Sequence, residues 1–392
     1  MSRTMVNSPT GPIESEVWRG SIMIVTEDAL SSYNPPPRLR LFAQAMDMLP
    51  PPPSHVKSQL AMEYVDPAAG LVKLGRDGRP LYVKPVEDIE EGADLSSLEN
   101  DDGLYEQMPT GADPTYPSRI HAQDGETAGV YKEIPGIRLY ADPDRGVTFW
   151  RFKIEVELGP VQRRVAYRIN HGTALGFWVP ASRQSMNIAY YSNNGANPAV
   201  DLDKFSGPDP LWRDILNEHQ TRPFHVMIGG GDQVFNDGIT TDSPYFYEWV
   251  QTKSVGEKYS ASFNPEFRAD LDSHYLEKYM SWYSQGLFSL AASQIPMVNM
   301  WNDHELIEGF GSYRDKFMRT SVISGLGRIA FKYYMIFQHQ TVPEETEEDE
   351  PSWILGGRPG PYIKEKSRNF LLSLGKDVAL LGLDCRTERM VS

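Results

Sequence analysis

The run Pro223-Phe-His-Val-Met-Ile-Gly-Gly-Gly-Asp-Gln233 sets the reading of the fold. Phe224 to Ile228 has the short, apolar, partly β-branched composition of a buried strand, and it runs straight into Gly229-Gly230-Gly231-Asp232. The triple glycine lets the backbone approach an anion closely. Upstream, Met186 to Tyr191 is a second short strand, ending in Ser192-Asn193-Asn194-Gly195. Between them Asp209-Pro210 predicts a helix start, with the Asp209 oxygen as cap and a proline whose missing N–H costs nothing there. Downstream, Ala269 to Gln294 reads as one long helical stretch. Pro296 to Trp301 is a strand entering Asn302-Asp303-His304-Glu305, and Val378 to Leu383 repeats the pattern into Asp384-Cys385-Arg386. Strands alternating with helices, with polar clusters at each strand's end, predict an α/β architecture whose chemistry collects beyond the carboxyl ends.

Ahead of this region the period changes. Trp150, Phe152, Ile154, Val156 and Leu158 alternate with Arg151, Lys153, Glu155 and Glu157, the pattern of a strand with one buried face. Gly159-Pro160 supplies a turn, and Val165, Tyr167 and Ile169 read as the returning strand of a hairpin. Ile22 to Val25 is strand-like too, so 146–183 closes an antiparallel β-domain whose earlier strands lie near the N-terminus, within 1–45. Proline runs at 35–37 and 50–53, and stretches such as Glu87 to Asp102, make 46–145 a loop-rich, partly ordered insertion. Glu344 to Glu350 reads as a solvated acidic loop, with a metal or basic-partner site as the alternative.

Composition narrows the classes. With 53 acidic against 38 basic residues the formal charge is −15, which disfavours general binding to nucleic acid or anionic membrane. Hydrophobic residues at 40% are enough for a real core across 392 residues and more than one domain. Cys385 is the sole cysteine, so no internal disulfide forms; with no secretory core in Met1 to Thr10 and no apolar run of spanning length, a cytoplasmic protein is expected.

Carboxylate, amide and imidazole groups at adjacent strand ends are what a two-metal hydrolase needs, with one carboxylate bridging the ions and an unligated histidine shuttling a proton. The alternative is a structural glycine turn with a capped, hydrogen-bonded histidine.

From about Trp150 to Arg389 the chain resembles the PhoD-like phosphatases, in particular their fungal-type branch. The resemblance rests on ordered matches. They are Trp150 to Phe152, Tyr167 to Asn170, Phe177 to Pro180, Gly207 to Asp214, Pro223 to Gln233, Met300 to Glu305, Gly309 to Tyr313, Lys332 to Tyr334 and Leu383 to Arg389. It implies a fibronectin-like β-domain ahead of a four-layer α/β/β/α metallophosphatase domain over 184–392, incomplete at its C-terminus because such proteins continue past the Arg-Thr-Glu-Arg run. It implies hydrolysis of phosphoric mono- or diesters by a hydroxide held between two metal ions (Ca, Fe, Zn or Mn). Asp232 would be the bridging carboxylate, Asp303 a metal ligand and His304 the acid/base. Arg386 and Asn194 would contact substrate, with an ion pair to Glu388 or Asp384 as the other reading of Arg386. Substrate would be a phosphoric-ester small molecule or lipid, which leaves peripheral membrane contact open.

Three positions depart from the family pattern. Asn193 stands where a metal-binding cysteine is expected, Phe235 where a tyrosine is expected, and Asn302 where a second aspartate precedes Asp303. Each change removes an anionic ligand, and an amide oxygen is a much weaker ligand than a thiolate for ferric or zinc-type ions. The second hypothesis is therefore a catalytically inactive phosphatase-like binding or scaffold protein.

Overall fold

The computed structural model describes residues 2–8, 11–44, 72–74, 80–82, 125–195 and 209–390. It is a mixed α/β structure with several sheets. The proline run at 50–53 and the stretch from Glu87 to Asp102 lie outside the described residues.

Among the described residues the N-terminal part is built of β-strands, with one 3-10 turn at Asp28–Leu30. Its strands are β1 (Ser2–Ser8), β2 (Gly11–Glu27), β3 (Arg38–Ala43), the short pair β4 (Val72–Leu74) and β5 (Pro80–Tyr82), then β6 (Tyr131–Pro135), β7 (Ile137–Asp142), β8 (Val147–Glu157), β9 (Arg163–Ile169) and β10 (Leu175–Val179). Two antiparallel four-stranded sheets result, in the orders β1-β2-β8-β7 and β10-β9-β3-β6. They share one core of Trp18, Leu39, Trp150, Phe152, Ile154 and Phe177.

Two expectations change here. β8 and β9 are not a hairpin: β8 pairs with β2 and β7, whereas β9 pairs with β3 and β10. Both strands bury an apolar face in the same core from opposite sides, so the turn at Gly159-Pro160 carries the chain across it. Arg151, expected on the wet face, is also buried, because its guanidinium grips Glu345 with two contacts of 2.6 Å. Glu345 thus ties the acidic run to the β-sheets, and that run is not simply solvated.

The remainder alternates. β11 (Ile188–Tyr191), β12 (Val226–Gly229) and β13 (Met297–Asn299) form a parallel sheet in that order. Helices α1 (Pro210–Thr221), α2 (Ile239–Asp242), α3 (Pro244–Gln251), α4 (Val255–Ser260), α5 (Pro265–Ser284) and α6 (Gly286–Ala292) lie between those strands. Then come α7 (Asp315–Met318), α8 (Ser321–Tyr333) with a π-turn at Tyr334–Gln338, the strands β14 (Trp353–Pro359), β15 (Lys366–Ser373) and β16 (Ala379–Gly382), and α9 (Cys385–Glu388). The last three strands make their own antiparallel sheet, so β16 does not join the parallel one. The largest core gathers around α5 and α8, with Tyr275, Tyr279, Leu326 and Phe331, and it includes Phe149 of β8.

The long helix expected over Ala269 to Gln294 breaks at Gly286, which takes φ +70°. Asp209 explains the break, and it is not the side-chain cap of α1. One of its oxygens pairs with Lys73 at 2.5 Å and the other accepts the Leu287 N–H at 3.1 Å, fixing where α6 begins. A Cβ on Gly286 would collide with Asp209. Among the described residues no helix is long and apolar enough to cross a membrane.

Candidate active site

Parallel pairing puts the ends of β11, β12 and β13 side by side, and backbone hydrogen bonds stitch their loops together. The Asn193 N–H donates to the Gly231 carbonyl at 3.1 Å, Asn194 to Asp232 at 2.8 Å, and Met300 to Gly229 at 2.9 Å. Gly231 at φ +114° and Asp232 at φ +60° turn the β12 loop sharply. A Cβ on Gly231 would stand 2.7 Å from Cβ of Asn302, so glycine there lets the two loops touch.

Glu305 clamps this junction. Its fully buried carboxylate accepts N–H bonds from Asn302 at 2.7 Å, Asp232 at 3.0 Å and Gln233 at 2.5 Å. Burial pushes the Glu305 carboxyl up to about 7, against the opposing pull of the Asn302 N–H.

Around the clamp the structure gathers Asp232, Asn302, Asp303, His304 and Arg386. Asp232 is buried and accepts the His304 N–H at 3.2 Å and the Asn302 amide at 3.0 Å. Asp303 accepts the Gly309 N–H at 2.6 Å and an Arg386 N–H at 3.1 Å. Arg386 also donates to the Asn302 amide oxygen and to the Phe310 carbonyl at 2.5 Å. Its ion-pair partner is thus Asp303, not Glu388 or Asp384. His304 stacks on Phe235 with ring centroids 4.4 Å apart, and its Nδ1 lies 2.5 Å from Asp237. Partial burial pulls this imidazole down, but Asp237, with Asp232 and Asp303 behind it, outweighs that and leaves it above the ordinary histidine range.

Asn193 and Asn194 sit on the neighbouring loop. Asn193 is exposed, in the left-handed region at φ +54°, and its amide donates to Ser192. Asn194 is buried, and its amide oxygen accepts the Trp212 indole N–H at 2.7 Å, which ties it to α1. In the sequence Glu305 only closes the run Asn302-Asp303-His304-Glu305, and Asp237 only follows Asn236 a little beyond Gln233. Their roles come from contacts across 67 and 73 residues, which no local pattern signals.

The donor set limits what metal these residues can hold. Among the described residues no group of three or more His, Cys, Asp and Glu is arranged around a metal position. A two-ion centre does not fit: Asn193 is a neutral amide, Phe235 offers no donor, and both Asp303 oxygens are engaged, one of them by a guanidinium. Both Asp232 oxygens are likewise engaged, one by the Asn302 amide and one by the His304 N–H.

A profile of the PhoD related phosphatase family matches residues 167–392. The uncharacterized protein YGR266W of Saccharomyces cerevisiae is 36% identical over 270 residues, 63% of this chain and 38% of that protein. The chain therefore matches well under half the length of that relative. Among solved structures, PhoD aligns with TM-score 0.34 and 14% identity over 66% of this chain and 42% of that one. The purple acid phosphatase PPD1 of yellow lupin aligns with TM-score 0.30 and 11% identity over 57% and 35%. Those structural scores are too low to carry an argument; the family match, covering more than half the chain, carries it. The chain belongs to the PhoD related phosphatase family.

Proposed function

We propose that the cleft at Asp232 and His304 hydrolyses phosphoric mono- or diesters with the help of a metal ion held on Asp232. The observation that supports this best is the Asp237–His304 pair, 2.5 Å apart, beside the buried Asp232 carboxylate. Asp232 would hold such an ion, which would supply Lewis-acid polarisation of a phosphoryl oxygen. Asp237 fixes the His304 ring through Nδ1 and favours its protonated form. Nε2 accepts or donates no hydrogen bond among the described residues and is the atom from which a proton reaches the leaving oxygen. Arg386 neutralises Asp303, which lowers the repulsion an anionic ester meets. On the same reading the two N-terminal sheets are a fibronectin-like domain built from 1–45 and 146–183; the expected insertion 46–145 is corrected at its end, because β6 and β7 pair with β3 and β8 and belong to those sheets. Residues 184–392 are then part of a four-layer metallophosphatase domain, and the protein works in the cytoplasm.

Asn193, Phe235 and Asn302 favour a second reading, a phosphatase-like binding or scaffold domain without turnover. The two separate on an assay with aryl phosphate mono- and diesters and added Mn²⁺, Ca²⁺, Zn²⁺ or Fe³⁺. Turnover that falls on the order of 10²–10⁴-fold in His304→Ala, the usual worth of a general acid, and vanishes in Asp232→Ala supports hydrolysis. Wild-type turnover no higher than that of Asp232→Ala leaves the binding domain.

A further inference from the structure

A cavity of about 870 Å³ opens where the N-terminal sheets meet the α/β half, a size typical of small-molecule sites. It lies beside Val226 and Met297, at the starts of β12 and β13, whereas the Asp232 cluster follows their ends. One wall is β2. β1 pairs with that strand only as far as Val17, so from Trp18 to Val25 this edge has no strand partner among the described residues and lines the cavity. The end of α5, with α6, β13 and β15, supplies much of the rest. Ile22, Ile24 and Met186 pack on the core of the N-terminal sheets, Met280 and Leu372 on the core around α5 and α8, and Met297 on a third core with Trp212 and Phe288. Each of them stays only partly buried, because the cores converge on the cavity without filling it. Methionine chains are unbranched and polarisable, and they adapt to an irregular apolar occupant.

Charge is nearly absent from these walls. Among the described lining residues Arg19 and Glu350 carry the formal charges, and both are engaged: Arg19 lies 3.0 Å from Glu155, and Glu350 accepts the Ser352 hydroxyl at 2.7 Å. Burial pushes His225 down to about 4 and, with Arg368 nearby, His339 down to about 3, so both imidazoles are neutral at neutral pH. The polar groups on the α6 side are hydroxyls. Ser289 and Ser293 already donate their hydrogens to the Gly286 and Leu290 carbonyls, at 3.1 Å and 2.7 Å. Their oxygens keep lone pairs, so what they offer a ligand is an acceptor.

We infer that this cavity binds a neutral lipid alcohol, with its apolar chain among the methionine and isoleucine side chains and its hydroxyl donating to Ser289 or Ser293. A fatty-acid anion is disfavoured, because its carboxylate would leave water without gaining a free cation. The binding stands apart from the hydrolytic reading, since neither Asp232 nor His304 lines the cavity.

The test uses the whole protein with Nile red, an uncharged fluorescent dye, and two competitors of equal chain length, 1-dodecanol and dodecanoate, at about pH 8, where a carboxylic acid is ionised. The wild type is expected to bind about one dye per chain, as one cavity of this size allows, and 1-dodecanol should displace it. Dodecanoate should compete at least about tenfold less well, for want of a cation. Met280→Trp and Ile22→Trp each put an indole into the cavity and should weaken 1-dodecanol binding at least about tenfold while unfolding stays cooperative. Absence of saturable, displaceable dye binding on the wild type overturns the inference without any variant. Dodecanoate as effective as 1-dodecanol overturns the neutral ligand class. Whichever of the two variants folds, wild-type affinity in it puts the ligand elsewhere and overturns the site. A protein that binds 1-dodecanol in this way yet hydrolyses no ester supports the cavity and sinks only the hydrolytic reading.

Discussion

His304 owes its state to a residue that sequence alone does not join to it. Asp237 lies 2.5 Å from Nδ1 but 67 residues away along the chain. Replacing that carboxylate by the amide in Asp237→Asn keeps the shape and removes the charge that favours the imidazolium. The His304 titration midpoint, followed by NMR of labelled histidine, is expected to fall; an unchanged or higher midpoint would mean that Asp237 does not control it. The linkage has a definite sign. Because the folded-state value stands above the ordinary 6.5, the pair adds stability that is fully present below about pH 6.5 and is lost as the pH rises through the folded value. Asp232, Asp303 and His304 were legible in the sequence because each closes or follows an apolar run that can only be a strand. Asp237 and the true partner of Arg386 were not, because local spacing offered Glu388 and Asp384, while folding brings in Asp303 from 83 residues away.

Between elements, the decisive object is the junction of the β12 and β13 loops. Glu305 accepts N–H bonds from both, and no other side chain among the described residues spans them in that way. Glu305→Ala leaves four backbone donors, the N–H groups of Asn302, Asp232, Gln233 and Val234, without their acceptor. Since each unpaired buried donor costs about 1–3 kcal/mol, a loss of about 3 kcal/mol or more in urea unfolding is expected. A loss under about 1 kcal/mol, no more than one ordinary hydrogen bond, would show that the loops are held by other means. At this scale the sequence was informative about periodicity and poor about partners. The alternation in β8 announced a strand correctly, but pairing depends on which faces share a core, so β9 crossed to the other sheet. The break before α6 was invisible because α5 and α6 are both good helices. Asp209, bound to Lys73 and the Leu287 N–H, decides where the first gives way to the second.

For the whole molecule, the parts are coupled through buried contacts. Phe149 of β8 enters the core of the α/β half, and Arg151 bridges to Glu345. The family was readable from ordered motifs spread over more than half the chain, because strand-end loops and helix starts must recur in order for this site to form. The substitutions Asn193, Phe235 and Asn302 were also readable, but the place of Arg386 beside Asp303 and the Asn302 amide was not, because it depends on contacts across 83 and 84 residues. The most direct test of the hydrolytic account compares the wild type with Asp232→Ala on an aryl phosphate diester in the presence of Mn²⁺. The account predicts turnover by the wild type that Asp232→Ala lacks; equal rates in the two proteins would contradict it.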